Sequence, residues 1–308
     1  MKVYTLDPCV DAIHMLDDCC ACIGYFDGFH VGHRQLVNET VKYAKENHLK
    51  SAVITFDPDP WVVLKGKTDV VHITTIAQRQ KIAEELGIDL WFQIHFTKEL
   101  ASFAPDVFVK KVIETLQVKH LVCGFDFTYG AFGKGTAKDL QKYTAFTTQI
   151  IEPVTYLDEK ISSTRIEQLI TKGDMETVEV ILGKPYTMEA NVKHGHQIGH
   201  KIGFPTINLD VERIYVLPKC GVYAGYMNYY GKQYIAMINV GNNPTFHKEH
   251  PIRIEAHILD FDQMIYDENI QLEFKHYIRD EIRFESAEAL IQQITADITT
   301  IRNKLGTL

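Results

Sequence analysis

His30 and His33 are separated by Val31-Gly32 and preceded by Gly24-Tyr25-Phe26-Asp27-Gly28-Phe29. This segment joins an apolar run, Cys20 to Ile23, to a helical period that begins at Gly32. A turn from strand end to helix start gathers backbone N–H groups and two imidazoles where a phosphate binds. Two other readings stand beside it: partly exposed histidines, or a zinc pair that lacks a third ligand. Glu255 lies between Ile254 and Ala256 and on a strand faces away from both. It then meets either water or a pocket, where burial raises a carboxyl toward the range useful to a general base. His194, His196 and His200 sit in a glycine-rich stretch that gives a metal no fixed geometry. Cys19, Cys20 and Cys22 lack zinc-pair spacing and read as a buried strand. Gly133-Lys134-Gly135-Thr136 is no P-loop, because Gly130 precedes Gly133 by too few residues.

The elements that must hold these residues follow from periodicity. Cys20 to Ile23, Ala52 to Phe56, Leu90 to Ile94 and His120 to Cys123 read as buried strands. Gly32 to Lys45, Gln78 to Leu86 and Pro105 to Thr115 read as helices between them. The alternation predicts a parallel sheet with ligands at the carboxyl ends of its strands. A helix over about Ser163 to Leu182 ends at Gly183-Lys184-Pro185, which divides the chain into domains 1–183 and 184–308. Beyond it, Val222 to Tyr229, Gln233 to Val240, Ile252 to Ile258 and Ile270 to Tyr277 predict a small antiparallel β-barrel. Ser286 caps a last helix whose Leu290, Ile294, Ile298, Ile301 and Leu305 form one apolar stripe for core packing.

Four segments occur in a telling order: Gly203-Phe204-Pro205-Thr206-Ile207-Asn208-Leu209, Gly221-Val222-Tyr223-Ala224-Gly225, Asn239-Val240-Gly241-Asn242-Asn243-Pro244-Thr245-Phe246 and Ile254-Glu255-Ala256-His257. They resemble the flavin-phosphorylating domain of riboflavin kinases. Upstream stand the His30–His33 segment, Phe56-Asp57-Pro58-Asp59-Pro60, Gly124-Phe125-Asp126-Phe127-Thr128-Tyr129-Gly130 and Ile161-Ser162-Ser163-Thr164-Arg165-Ile166. Over nearly its whole length the chain resembles the bifunctional riboflavin kinase/FAD synthetase family, a nucleotidyltransferase-like parallel α/β domain followed by the barrel. The resemblance implies ATP, riboflavin and FMN as substrates, FMN and FAD as products, and magnesium. It implies nucleotide-binding roles in adenylyl transfer for Gly24, Asp27, His30, His33, Gly124, Asp126, Ser163, Thr164 and Arg165. In the kinase half it implies nucleotide or magnesium roles for Gly195, Gly203, Thr206 and Asn208, a general base at Glu255, and flavin contacts at Arg279, Glu281 and Phe284. Thr206 and Asn208, at i and i+2 of an extended segment, share a face and offer the oxygen donors magnesium takes.

In its amino-terminal half the chain departs from the family at three points. Asp59 stands where His is usual, Glu167 where Arg is usual, and Tyr25 where a small or polar residue is usual. Two departures set an anion near a polyphosphate, worth about 1–4 kcal/mol even at high effective dielectric. Two alternatives follow: a kinase whose front domain has lost adenylylation, and a flavin-binding regulator without turnover. Tyr266-Asp267 replaces a Tyr-Gly pair, and Asp tolerates the left-handed turn better than most residues.

At 308 residues with a net charge of −8, the chain is long enough for two cores and carries no basic footprint for nucleic acid or a membrane surface. Small molecules are the expected partners, and oligomeric state is not written in the sequence. No apolar run reaches the length of a membrane span, the first residues lack a signal-peptide pattern, and the cysteines form no disulfide framework. A reducing cytoplasm is the expected compartment.

Overall fold

The computed structural model describes residues 1–10, 17–66, 70–193, 203–242 and 252–306, so Gly195 and its neighbouring histidines, with Asn243-Pro244-Thr245-Phe246, lie outside the described residues. The chain divides into two compact units, Met1–Val70 with Thr75–Ser162, and Val71–Thr74 with Ser163–Leu308. The second unit thus takes in residues ahead of Gly183.

The first unit comprises β1 (Lys2–Leu6), β2 (Cys19–Ile23), α1 (Val31–Glu46), β3 (Lys50–Asp57), α2 (Pro60–Lys65), α3 (Ile76–Glu85), β4 (Leu90–His95), α4 (Lys98–Ala101), α5 (Pro105–Phe108), β5 (Val118–Gly124), β6 (Thr128–Tyr129), β7 (Gly135–Thr136), α6 (Ala137–Leu140), β8 (Thr147–Ile151), β9 (Thr155–Tyr156) and β10 (Glu159–Lys160). The predicted parallel sheet is present, six strands in the order β1-β4-β3-β2-β5-β8. Its strands are apolar on both faces because helices cover both. Leu36, Val37 and Ala44 of α1 and Ile82 and Ala83 of α3 pack with Cys20, Cys22 and Val53. Phe108, Val109, Val112 and Ile113 pack on the other face with Cys19, Ala21 and Ile54. Strand alternation therefore sends Cys19 away from Cys20 and Cys22, and burial pushes the Cys19 and Cys22 thiols up to about 12. The helix expected over Pro105 to Thr115 runs as α5 and then widens to a π-helical segment, Val109–Glu114.

The second unit comprises α7 (Ser163–Lys172), α8 (Met175–Leu182), β11 (Tyr186–Lys193), β12 (Ile207–Val211), β13 (Gly221–Tyr229), β14 (Lys232–Asn242), β15 (Ile252–Ile258), β16 (Asn269–Arg279) and α9 (Ala287–Leu305). The single helix expected over 163–182 is two, because Gly173 takes φ 82° and Asp174 caps α8 by accepting from Thr177 N–H at 3.1 Å. Gly183 does end α8, in the left-handed region at φ 71°. The strands close into an antiparallel barrel in the order β11-β12-β15-β14-β13-β16. Met188, Val192, Ile238, Ala256, Leu272 and Phe274 fill it. Gly225 sits at a bulge where β16 comes so close that a Cβ would lie 1.9 Å from Glu273 O, which only glycine allows. Outside, Ile298, Ile301 and Leu305 of α9 pack on Ala224, Ile235 and Met237. Ser286 caps α9, accepting from Ala289 N–H at 3.1 Å. Asp267 adopts φ 62°, the left-handed turn its position demands.

Candidate functional site

The sheet order of the first unit reverses at β2, whose neighbours β3 and β5 carry the chain in opposite directions across the sheet. Such a switch point opens a crevice at the strands' carboxyl ends. Gly24 follows the end of β2 and Gly124 closes β5, so the register puts both there. Between Gly24 and α1 the backbone turns through Phe26 (φ 58°), Gly28 (φ 77°) and Phe29 (φ 48°). Left-handed backbone costs a non-glycine residue about 1–2 kcal/mol. Burial of the Phe26 and Phe29 rings, fully enclosed and stacked at 5.5 Å, offsets that cost at about 1.5–3 kcal/mol each.

A buried ion pair fixes the same turn. Asp27 Oδ1 accepts from Arg79 Nη2 at 3.0 Å, with both side chains almost wholly buried. The Arg79 guanidinium also donates to Tyr25 O at 3.3 Å and lies 4.5 Å over the Tyr25 ring. Tyr25, unusual by sequence, is therefore half of a cation–π contact. Arg79 escaped the sequence reading because it sits in an ordinary helical pattern, and only its capping box, Thr75 with Gln78, marks that helix start.

His30 is the N-cap of α1: its Nδ1 accepts from His33 N–H at 3.2 Å, which puts the ring proton on Nε2. The two imidazoles stack at 3.6 Å. Burial is the main reason that His30 falls from 6.5 to about 4, and burial, then the neighbouring His30, lowers His33 as well. Both rings are neutral at pH 7. His33 Nδ1 is buried with no hydrogen-bond partner among the described residues. Asp126 pairs with Lys160 at 2.5 Å, and the Lys160 ammonium lies 4.7 Å from the Phe125 ring centre. The charges of Asp27, Lys160 and Asp126 all act on His30. Lys160, on β10, carried no signal in the sequence. A cavity of about 310 Å³ in this unit is lined by Pro105, Tyr129, Lys134, Asp139, Lys142 and Tyr143.

Asp59 has a local partner. It is the N-cap of α2, accepting from Trp61 N–H at 2.6 Å, and is buried. Its carboxylate thus already faces the positive end of a helix. Ser163, Thr164 and Arg165 lie in the first turn of α7, with Glu167 two positions further, all in the second unit.

In the barrel, strand register brings the expected residues onto one row. Asn208 on β12 faces Glu255 on β15, which faces Asn239 on β14, then Val222 on β13 and Arg279 on β16. Ile254, Ala256 and Ile258 are buried inside, so Glu255 points to the outer wall as alternation predicts. Its side chain is 24% exposed and ion-paired with Arg253. Arg253 also donates through Nε to Asn208 Oδ1 at 2.8 Å, and through Nη2 to the same oxygen. Thr206, just before β12, lines a cavity of about 110 Å³ with Ile207, Ala256 and Phe261. Gly203 precedes it at φ 86°. His257 Nδ1 lies 2.7 Å from Pro205 O and steadies this segment.

Arg279 is engaged differently from a free flavin contact. It grips the buried Asp297 of α9 through Nε at 3.1 and 3.0 Å and Nη2 at 2.7 Å. Asp297 also accepts from Gln293 at 2.9 Å. Asp297 was hidden in the sequence because the apolar stripe of α9 drew attention to its neighbours. Phe284 lies 6.0 Å from the Arg279 guanidinium, and Glu281 Oε1 lies over Gly241, 2.5 Å from where a Cβ would stand.

A switch-point crevice on an α/β unit, followed by a barrel that sets Asn208, Glu255 and Arg279 on one cross-strand row, fits a two-unit transferase. Family models match accordingly: FAD synthetase over residues 12–165 and riboflavin kinase over 182–305. The bifunctional riboflavin kinase/FMN adenylyltransferase of Listeria monocytogenes is 37% identical over 278 residues, spanning 89% of this chain and 88% of its own. That of Bacillus subtilis is 38% identical over 282 residues, 89% of each. A crystal structure described as a macrolide-efflux protein from Streptococcus pneumoniae superposes with TM-score 0.90 at 34% identity, covering 97% of this chain and 99% of that one. No helix among the described residues is long and apolar enough to cross a membrane. The chain belongs to the bifunctional riboflavin kinase/FMN adenylyltransferase family.

Proposed function

We propose that the chain makes FMN and then FAD. The barrel unit moves the γ-phosphoryl of ATP to the ribityl 5′-hydroxyl of riboflavin: the new P–O bond forms, the bond to the β-phosphate oxygen breaks, and ADP leaves. Glu255 takes the hydroxyl proton. Thr206 and Asn208 would hold magnesium, which supplies neutralisation of phosphate charge. Their fit rests on donor chemistry, since Asn208 Oδ1 and the Glu255 carboxylate already share a cation, the Arg253 guanidinium. The α/β unit joins the FMN phosphate to the α-phosphorus of a second ATP, and pyrophosphate leaves. His30, protonated at Nε2 and neutral, donates to the phosphates, as do the N–H groups that open α1. The 310 Å³ cavity, lined by two tyrosines, Lys134 and the Lys142–Asp139 ion pair, has the size for a flavin phosphate.

The observation that carries this reading is the cross-strand row from Asn208 through Glu255 to Arg279, where sequence motifs far apart in the chain meet on one wall. The small-molecule partners and a cytoplasmic setting accord with a net charge of −8 and six free thiols. The test is incubation with riboflavin, ATP and magnesium, and separation of the flavins. FMN with FAD is expected; FMN alone removes the adenylyl half, and neither removes both.

A further inference from the structure

We propose that Arg253 is a resident cation of the kinase site, holding Asn208 and Glu255 in place of the metal until the metal–nucleotide displaces it. Arg253 and Glu255, at i and i+2 of β15, project from the same wall, and Asn208 is directly opposite Glu255. The guanidinium spans both: Nε and Nη2 donate to Asn208 Oδ1, and Nη2 pairs with Glu255 Oε1. Across the barrel wall, the β14 residue opposite Arg253 is Gly241, and the Glu281 carboxylate stands over that glycine. Arg253 is 36% exposed on its side chain, so it can leave without unpacking the core. This inference rests on the reading of Asn208 as a metal ligand.

A guanidinium on an amide oxygen excludes a metal from that oxygen and repels a divalent ion placed beside it. Metal affinity is then set by competition. Removing the positive charge should tighten metal binding by about tenfold, a modest fraction of the unscreened repulsion at this range. A merely structural Arg253 has the opposite effect, because its loss loosens Asn208.

The test uses the full chain with a non-hydrolysable ATP analogue, manganese(II) titrated in, and bound manganese read by electron paramagnetic resonance. Asn208→Ala identifies the class of manganese held in the barrel. Arg253→Gln should tighten that class about tenfold, and Arg253→Lys, which keeps a cation, should stay within about twofold of the native chain. An Arg253→Gln affinity that is unchanged or weaker overturns the proposal. If Asn208→Ala removes no manganese, the ligand reading of Asn208 fails and the inference falls with it. FMN formation by the native chain, followed in the same preparation, separates a failure of the kinase reading from either.

Discussion

In the proposed mechanism Glu255 takes the hydroxyl proton, and its neighbours make the test clean. Gln at this position keeps a hydrogen-bond acceptor for Arg253 and nearly the same volume, so the fold is undisturbed. Glu255→Gln should slow FMN formation by at least about 100-fold, the usual scale for loss of a general base, with little change in riboflavin affinity. Steady-state kinetics beside a binding titration checks it, and near-native turnover removes Glu255 from the mechanism. His30 makes a different prediction, about pH. Unfolded, its imidazole titrates near 6.5; folded, near 4. Between those values the unfolded chain binds a proton that the folded chain does not, so stability is intact above pH 6.5 and declines as pH falls to about 4. The loss is on the order of 3 kcal/mol. His30→Asn retains a capping acceptor and should flatten that part of the Tm-versus-pH curve; an unchanged slope places the titration elsewhere.

At the level of elements, α2 shows how a sequence anomaly resolves into local structure. Asp59 stands where His is usual in the family, and its carboxylate accepts the Trp61 N–H at the start of α2. Asp59→Ala should cost about 1 kcal/mol through the lost cap, whereas Asp59→Asn keeps the cap and removes the charge. Both are read by denaturant unfolding. If Asp59→Asn accelerates FAD synthesis several-fold, the carboxylate does act on the nucleotide; an unchanged rate is expected. The strands of the parallel sheet were legible because burial on both faces makes them continuous apolar runs, and the helix caps at Ser286 and Gly183 because their residue types are specific. Less visible were β1, a half-exposed edge strand, and β12, a strand of five residues that starts two positions after Pro205. The alternation of Tyr186, Met188, Ala190 and Val192 in β11 was there to be read, but the strand starts directly after Pro185. The site residues found by motif, His30 and Glu255, were legible by type and neighbours. Arg79, Lys160 and Asp297 were not, since each acquires its partner only through tertiary contact.

For the whole molecule, the question is where the kinase can be cut free. Gly183-Lys184-Pro185 ends a helix, but the barrel does not begin its packing there. α8 lies on the barrel through Val178, Ile181 and Leu182, all buried, and Lys275 of β16 holds Glu179 at 2.5 Å while His276 holds Glu176 at 2.8 Å. A fragment from Lys184 to Leu308 uncovers the apolar surface beneath α8, at about 25 cal/mol for each Å² returned to water. A fragment from Ser163 to Leu308 keeps α7 and α8. Neither retains Val71–Thr74, where His72 bridges Tyr215 by accepting Val216 N–H at 2.9 Å and donating its own N–H to Ile214 O at 2.5 Å. Two backbone bonds at a loop are worth about 1–3 kcal/mol, a smaller loss than an uncovered barrel face. The Ser163 fragment should therefore fold and phosphorylate riboflavin, with a midpoint in urea below that of the full chain. The Lys184 fragment should be less stable again or aggregate. Equal midpoints for the two fragments would mean that α7 and α8 rest on the barrel without supporting it, and a folded Ser163 fragment that makes no FMN would mean that the kinase needs residues of the first unit.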